Sequence, residues 1–444
     1  MNIRCFSLFN TVLEGVLLSS NKPRFSSSII YLIHTLDTKI MHGMYMRMLI
    51  HGSEHPHHYK TFASILASFS LEDEGIFLIS NQEATSKDFA PKNFFLHKLR
   101  DIFWDWFKIN INRYKKNRWD WSIYTENKWM NIRQKDLDKE FKCPPIKGFL
   151  PWKPDVVLCV SPHEGHTKYQ LIPWAIKQNI PIISIDHGCP LVVFPFGNYR
   201  GSMMGCNANA VWGEFAAKIN SKQGANRELQ IITGTPTIDD IPAKKKLGKR
   251  NLKKRIGAKL NSKMVLLMTT HREPLKTHCD NIFQEICERY ILDDNIEIHV
   301  KPHPVELRNN SFLKIDEKVK IHKKDVDLHA LIGASDVIIS PATSVIVPAL
   351  AMNIPFVNLL DPNSGIEDAH LYSPLIEMLG NLIGNVSELH EWIKNPPVHD
   401  EKKIFEVFKK VGYKCDGKNG KRVFDLCKWA SLNKSVSQWK DFDN

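Results

Sequence analysis

The feature that most constrains this chain is an alternation, running from Met264 to Leu359, of short, mainly apolar runs with segments of helical period. Met264–Met268, Ile296–Val300, Val319–Ile321, Asp336–Ile339 and Ile354–Leu359 read as strands. Asn281–Tyr290, Asp325–Gly333 (capped by its own aspartate) and Val345–Met352 read as the helices between them. A strand with one wet face alternates apolar and polar residues, so mainly apolar runs imply strands covered on both faces. Intervening helices supply the crossovers that parallel pairing requires. The expectation is a Rossmann-type α/β domain, closed by two further helices near Val386–Ile393 and Gly420–Leu432.

A shorter alternation precedes it. Asp155–Val160, Ile180–Ile185, Ala210–Trp212 and Ile231–Thr233 read as strands, with a helix over Gln170–Gln178. At 444 residues the chain is longer than one core usually organises, so two α/β domains are expected. Between the two patterns, Pro242 to Lys263 holds ten basic residues and no acidic one, which reads as a solvated linker or helix face at the domain boundary. The predicted organisation is an N-terminal α/β domain over 1–240, a basic linker over 241–263 and a Rossmann-type domain over 264–444. The first 150 residues are less regular, with strands at Ser28–Leu36 and Gly75–Ser80 and a helix around His58–Phe69. Within them, 103–129 is an insertion holding Trp104, Trp106, Trp119, Trp121 and Trp129 among Lys115, Lys116 and Arg118. That mixture suits a membrane interface or a stacking surface, and equally a helical hairpin with its aromatics in the core.

The net charge of +12 and a pI near 9.1 favour anionic partners: nucleotides, phosphorylated substrates, acidic membranes or nucleic acid. Nine cysteines, an odd number without a CxxC pair, suggest neither a disulfide framework nor a zinc ribbon. No run approaches the roughly 18 apolar residues of a spanning helix, and Met1–Ser20, broken by Glu14, does not read as a signal peptide. The expected location is cytoplasmic, with peripheral contact at the inner face of an anionic membrane as the accompanying hypothesis.

Ligands of open parallel sheets bind outside the carboxyl ends of the strands. That rule selects His187 and Gly188 after Ile185; Thr269, Thr270, His271 and Arg272 after Met268; Lys301 and His303 after Val300; and Ser340, Thr343 and Ser344 after Ile339. Together they offer cations, hydroxyls and helix starts, a set suited to a diphosphate-bearing nucleotide. Each also has an ordinary role: His303 in a rigid turn, Arg272 in a surface ion pair, Thr343–Ser344 as a helix cap, His187–Gly188 as a strand-ending turn. Four such roles on one rim are a less economical account than one shared site. His163-Glu164-Gly165-His166 also follows a strand, as a solvated loop or a catalytic one. Its histidines stand three apart, where the zinc motif HExxH needs four, and no metal site is expected.

His187-Gly188-Cys189-Pro190-Leu191, then Thr233-Gly234-Thr235-Pro236 with Asp239, resemble first-half markers of CDP-glycerol glycerophosphotransferases and capsule polysaccharide transferases. Thr270-His271-Arg272, Lys301-Pro302-His303-Pro304 and Ser340-Pro341-Ala342-Thr343-Ser344 resemble their second-half markers, and Asp416-Gly417-Lys418 with Arg422-Val423-Phe424-Asp425 a tail common in the group. The resemblance covers about Asp155 to Leu432. It implies a GT-B fold: two Rossmann-type domains with parallel sheets facing an interdomain cleft, the second holding the nucleotide donor and the first the acceptor. It also implies that His187 and His303 are catalytic or hold the donor phosphates. Two positions depart from the pattern. Pro341-Ala342-Thr343-Ser344 replaces an acidic-aromatic-serine-serine loop, and His271 stands where the group has an aromatic.

The expected function is transfer of a glycosyl or glycerophosphoryl group from a nucleotide-activated donor to a glycan or polyprenyl-lipid-linked acceptor, in cell-surface polysaccharide biosynthesis. No cofactor beyond the donor substrate is implied. Breaking the bond to the nucleotide develops negative charge on the departing phosphate; Arg272, Lys301, Ser340, Thr343 and Ser344 are the groups expected to stabilise it without a metal. The acceptor hydroxyl needs a base, and His187 is the first choice, with the segment of His163, Glu164 and His166 second. His187, His303 and Glu164 are thus the expected catalytic residues, and Gly188, His163 and His166 line the acceptor side. Two other readings compete. Thr270-His271-Arg272-Glu273 is also similar to part of the UDP-N-acetylglucosamine 2-epimerases of the same fold. A non-enzymatic glycan- or nucleic-acid-binding protein would use the basic charge, but no nucleic-acid motif accompanies that charge and no nucleic acid is expected.

Overall fold

The computed structural model describes residues 46–52, 56–69, 73–79, 153–160, 172, 174–186, 188, 206–222, 225–271, 273–309, 311, 316–322, 326–341, 343–359, 374–432 and 436–439. The expected strand at Ser28–Leu36 and the tryptophan-rich insertion 103–129 lie outside them.

Six strands form the first sheet: β1 (Arg47–Gly52), β2 (Glu74–Ile79), β3 (Val156–Val160), β4 (Ile182–Ile185), β5 (Ala208–Val211) and β6 (Gln230–Ile232). All neighbours are parallel, in the order β2-β1-β3-β4-β5-β6. Every residue of β3, β4 and β5 is buried, as strands covered on both faces require, including the polar Ser184 and Asn209. One face carries Met48, Ile50, Leu158, Val160, Ile183 and Ile185. It packs on Phe62 and Ile65 of α1 (Pro56–Leu66) and on Val423, Phe424 and Cys427 from far along the chain.

Polar side chains of this sheet satisfy one another. Ser184 Oγ donates to Asn209 Oδ1 at 2.6 Å, and Asn209 Nδ2 reaches both Asp186 Oδ1 (2.9 Å) and Gln230 Oε1 (3.1 Å). Asn220, on α2 (Glu214–Lys222), donates to Asp186 Oδ2 at 3.2 Å and Gln230 Oε1 at 3.0 Å. All five residues are buried, so each bond avoids the cost of a desolvated, unpaired polar group.

After β6 the chain enters α3 (Ile241–Arg255). The second sheet then forms from β7 (Lys263–Met268), β8 (Ile296–Lys301), β9 (Lys320–Ile321), β10 (Val337–Ser340), β11 (Phe356–Asn358) and β12 (Ile383–Gly384). It too is wholly parallel, in the order β12-β11-β10-β7-β8-β9. This is the doubly wound Rossmann order, whose direction reverses between β7 and β10. Val265, Leu267, Ile298, Val300, Val337 and Ile339 face α4 (Leu275–Tyr290) through Cys279, Phe283 and Ile286. On the other face Met264, Leu266, Ile338 and Phe356 meet α6 (Leu328–Ala334) and α7 (Ile346–Ala351). The six-residue α5 (Pro304–Asn309) follows β8. Helices α8 (Pro374–Leu379), α9 (Leu389–Lys394), α10 (Glu401–Val411) and α11 (Asn419–Ser431) complete the described chain.

Several expectations are corrected. The basic segment is helix α3 for most of its length, because Lys244 and Lys253 are buried as ion pairs with Asp327 and Asp336 of the second half. The Asp336 carboxyl is buried, but the Met264 N–H, Lys249 and Lys253 outweigh that and hold it below the ordinary carboxylate range. Helix α6 is capped by Asp327, which accepts the Ala330 N–H at 3.1 Å, rather than by Asp325. Helix α11, expected to close the second domain, packs instead on the first sheet. Among the described residues no helix is long and apolar enough to cross a membrane.

Candidate active site

The carboxyl edge of the second sheet gathers most of the described candidates. Parallel register sets Met268 beside Lys301 and Ser340 beside Asn358. One step beyond the Leu267–Ile339 pair, Met268 also stands beside Ser340. Register partners point to the same face, so Lys301, Met268, Ser340 and Asn358 form one row across the switch point between β7 and β10. Ser340 is 1% exposed, yet its hydroxyl has no hydrogen-bond partner among the described residues. Lys301 is half-buried, and no acidic residue among those described pairs with it; burial alone pushes its ammonium below the ordinary lysine range. A partly desolvated cation and a buried hydroxyl without partners among the described residues, in one row with Met268 between them, suit an anionic ligand rich in oxygen.

His303, two residues past the end of β8, is held by its own backbone and by α5. Its N–H points to Thr269 Oγ1 at 2.9 Å and to Glu306 Oε2 at 3.0 Å, and the Thr269 hydroxyl also donates to that carboxylate oxygen. The Val305 N–H donates to His303 Nδ1 at 3.2 Å. Glu306 is fully buried, and its Oε1 lies 3.4 Å from Lys276 Nζ. Burial works against the Lys276 charge, but bonding to Asp280 and attraction to Glu306 raise its pKa overall. The His271 ring lies against that of His303, centroids 4.3 Å apart and planes 31° from parallel. The residue that departs from the family pattern thus supplies an aromatic face by another route.

Thr343 and Ser344 are half-exposed in the loop before α7, and Ser344 is where the two halves approach. A Cβ on Gly188, from the loop after β4, would stand 3.8 Å from Ser344 Cβ and Oγ. This contact brings the loop that carries His187 to the rim that carries Ser340. His187 itself, Arg272, His163, Glu164 and His166 lie outside the described residues. Lys301, His303, Ser340, Thr343, Ser344 and Gly188 are therefore the candidates whose positions are on hand.

A second polar group lies behind this rim. His299 Nδ1 and His322 Nε2 are 2.7 Å apart, and His299 Nε2 is 3.3 Å from Glu297 Oε2. Lys320 Nζ bonds Glu297 Oε1 at 2.6 Å. Burial, with the nearby His299, Lys301 and Lys320 charges, lowers the His322 pKa to about 4.

The markers Thr233–Asp239 and Asp416–Asp425 serve the architecture. Asp239 accepts the Asn419 N–H (2.9 Å) and the Gly420 N–H (2.7 Å) at the start of α11, and Ser64 Oγ of α1 also donates to it. Asn419 Nδ2 donates to Thr235 O at 3.1 Å, and Arg422, 1% exposed, pairs with Asp416 and Asn419. Gly234 has φ +77°, and a Cβ there would run into the Asn419 side chain. Only glycine meets both demands. Sequence reading missed Glu306 and Lys276; the signal for the former was the spacing His303-x-x-Glu306, that of a capping box.

Residues 215–427, just under half of the chain, match the family model described as CDP-Glycerol:Poly(glycerophosphate) glycerophosphotransferase. The match takes in the site row and both joint-forming markers and leaves His187 outside. A comparison with curated protein sequences gives no match. Among solved structures, the S. aureus MnaA–UDP co-structure is similar at TM-score 0.54 and 17% identity, over 89% of this chain and 100% of that one. UDP-GlcNAc 2-epimerase from Neisseria meningitidis bound to UDP-GlcNAc follows at 0.53 and 16%, over 86% and 99%. The wall teichoic acid polymerase TagF stands at 0.47 and 14%, over 65% and 84%. At these identities the first two show the fold alone: two parallel-sheet α/β domains. Over residues 215–427 the chain is similar to the CDP-glycerol:poly(glycerophosphate) glycerophosphotransferase family, the resemblance its motifs carry.

Proposed function

We propose that the chain transfers a glycerophosphoryl or glycosyl group from a nucleotide-activated donor, foremost a CDP-linked one, to a hydroxyl of a glycan or polyprenyl-lipid-linked acceptor. The observation that carries this reading is the pair Lys301 and Ser340, in one row at the switch point and without partners among the described residues, with His303 two residues past Lys301. In the glycerophosphoryl case the acceptor oxygen attacks the phosphorus that bears glycerol. The bond from that phosphorus to the nucleotide phosphate breaks, and the nucleoside monophosphate departs with the electron pair. Lys301 and Arg272 are the cations assigned to that growing charge, with Ser340, Thr343 and Ser344 as hydroxyl donors. His187 is the assigned base for the acceptor proton, with His163, Glu164 and His166 on the acceptor side and Gly188 leaving room between the loops.

The test is thermal shift with CDP-, CMP-, UDP- and GDP-linked donors. One nucleotide should stand out, with about 2.7 kcal/mol of stabilisation at a hundred times its Kd. His303→Ala should abolish that shift, and an unchanged shift in this variant would sink the assignment. Acceptor-free turnover of UDP-N-acetylglucosamine would favour the epimerase reading instead.

The same reading includes peripheral contact with an anionic membrane. Helix α3 exposes Lys246, Arg250 and Lys254 beside Leu247, a basic face with an apolar contact, on a chain of net charge +12. The protein should sediment with phosphatidylserine-containing liposomes at low salt and be released at high salt. Equal recovery with neutral liposomes would remove this part.

A further inference from the structure

We propose that Glu306 is a positioning residue that, through a reciprocal cap, fixes His303 as a hydrogen-bond donor at Nε2. The inference rests on the reading of this rim as a donor-phosphate site, and assigns His303 one part of that work.

A fully buried carboxylate is costly unless what it holds offsets the cost. Glu306 Oε2 holds the His303 N–H and the Thr269 hydroxyl, and Thr269 Oγ1 receives the same N–H. Three residues are thereby locked at the point where β8 gives way to α5. The arrangement is a capping box in which an imidazole replaces the usual serine. Glu306 reaches back to the His303 N–H, while His303 Nδ1 receives the N–H of Val305.

The consequence lies in the ring. A backbone N–H can only donate, so Nδ1 must present its lone pair, and the neutral ring carries its proton on Nε2. In that tautomer Nε2 donates a hydrogen bond and does not accept a proton. His303 is then suited to a phosphoryl oxygen and unsuited to deprotonating the acceptor hydroxyl. That task falls to another group, in keeping with the assignment of His187. The His271 ring, 4.3 Å away, restricts rotation of the imidazole from its face. Lys276 Nζ, 3.4 Å from Glu306 Oε1, adds an ion-pair contact on the far side of the carboxyl group.

The test uses the full chain and two readouts. In 15N-histidine-labelled protein, the His303 signals, assigned by their loss in His303→Ala, should show Nδ1 unprotonated and Nε2 protonated. The opposite tautomer overturns the proposal whatever the donor turns out to be. In Glu306→Ala the two tautomers should mix, and kcat should fall about 100-fold with a smaller change in KM. Glu306→Gln, which can still accept the His303 N–H, should recover part of the loss. Unchanged kcat in Glu306→Ala, with His303→Ala inactive, overturns the proposal. Should Glu306→Ala not fold, Thr269→Val against Thr269→Ser decides: a roughly tenfold loss of kcat in the former alone supports the cap, and equal activity refutes it. If the wild type binds no nucleotide donor, the functional reading fails while the tautomer result stands.

Discussion

Both sheets carry buried or half-buried polar side chains, and they treat them in opposite ways. At β4, β5 and β6, Ser184, Asp186, Asn209 and Gln230 are knit together with Asn220, each bonded to another of the set. At β8 and β10, Lys301 is half-buried and Ser340 fully buried, and neither has a protein partner among the described residues. Burial of a polar group is thus no guide to function by itself. What separates scaffold from site is whether the protein supplies the partner. In the first sheet it does for every member, though Asn220 Oδ1 and Gln230 Nε2 stay unbonded among the described residues; in the second, the function proposed above assigns the partner's part to a ligand.

The comparison is broken or upheld by a matched pair of variants. Asp186→Ala leaves two buried amides, of Asn209 and Asn220, sharing Gln230 Oε1 as their remaining acceptor in this network, and should cost about 2 kcal/mol of stability, read as a lower Tm. Donor affinity per folded molecule should be unchanged. Lys301→Met should do the reverse. Tm should hold or rise, because an unpaired buried ammonium is removed, while donor binding weakens by about 2 kcal/mol, roughly thirtyfold in Kd. If Lys301→Met unfolds the protein, or Asp186→Ala abolishes binding in protein that stays folded, the distinction fails.

A smaller effect sharpens the view of the second sheet. His322 has its pKa lowered from 6.5 to about 4, chiefly by burial and then by the His299, Lys301 and Lys320 charges. Between those values the unfolded chain binds a proton that the fold refuses, so stability falls as pH drops through 6.5 towards 4. After discounting for solvent screening the loss is about 1–2 kcal/mol. Denaturant titrations of His322→Gln should show a flatter slope over that interval, and a slope equal to that of the wild type would contradict the placement.

The second sheet was legible because its longer strands are buried on both faces and so are written as mainly apolar runs, with Glu297 and His299 of β8 the buried exceptions. Once those strands were in hand, the rule of carboxyl ends selected Lys301, His303 and Ser340 without knowledge of any contact. Strand β1 escaped because Arg47 and His51 interrupt its apolar run; the first bonds Asp155 through its backbone and the second is buried. Glu306 escaped for a related reason: an acidic residue after two prolines reads as solvated, and only the fold turns it inward. The basic segment misled in the same way, since the partners of Lys244 and Lys253 are 83 residues away in sequence. Helix α11 has a period visible in the sequence, but nothing local says which sheet it will cover.

That last helix has a mechanical consequence. The polypeptide passes from the first half to the second near Asp239 and returns near Asn419, and the two passages are bonded to each other. A body on a single thread can swivel, whereas one on two adjoining threads opens and shuts like a book along its spine. Any approach of the two rims to a bound molecule would then swing about that line, with Gly188 and Ser344 on the facing pages.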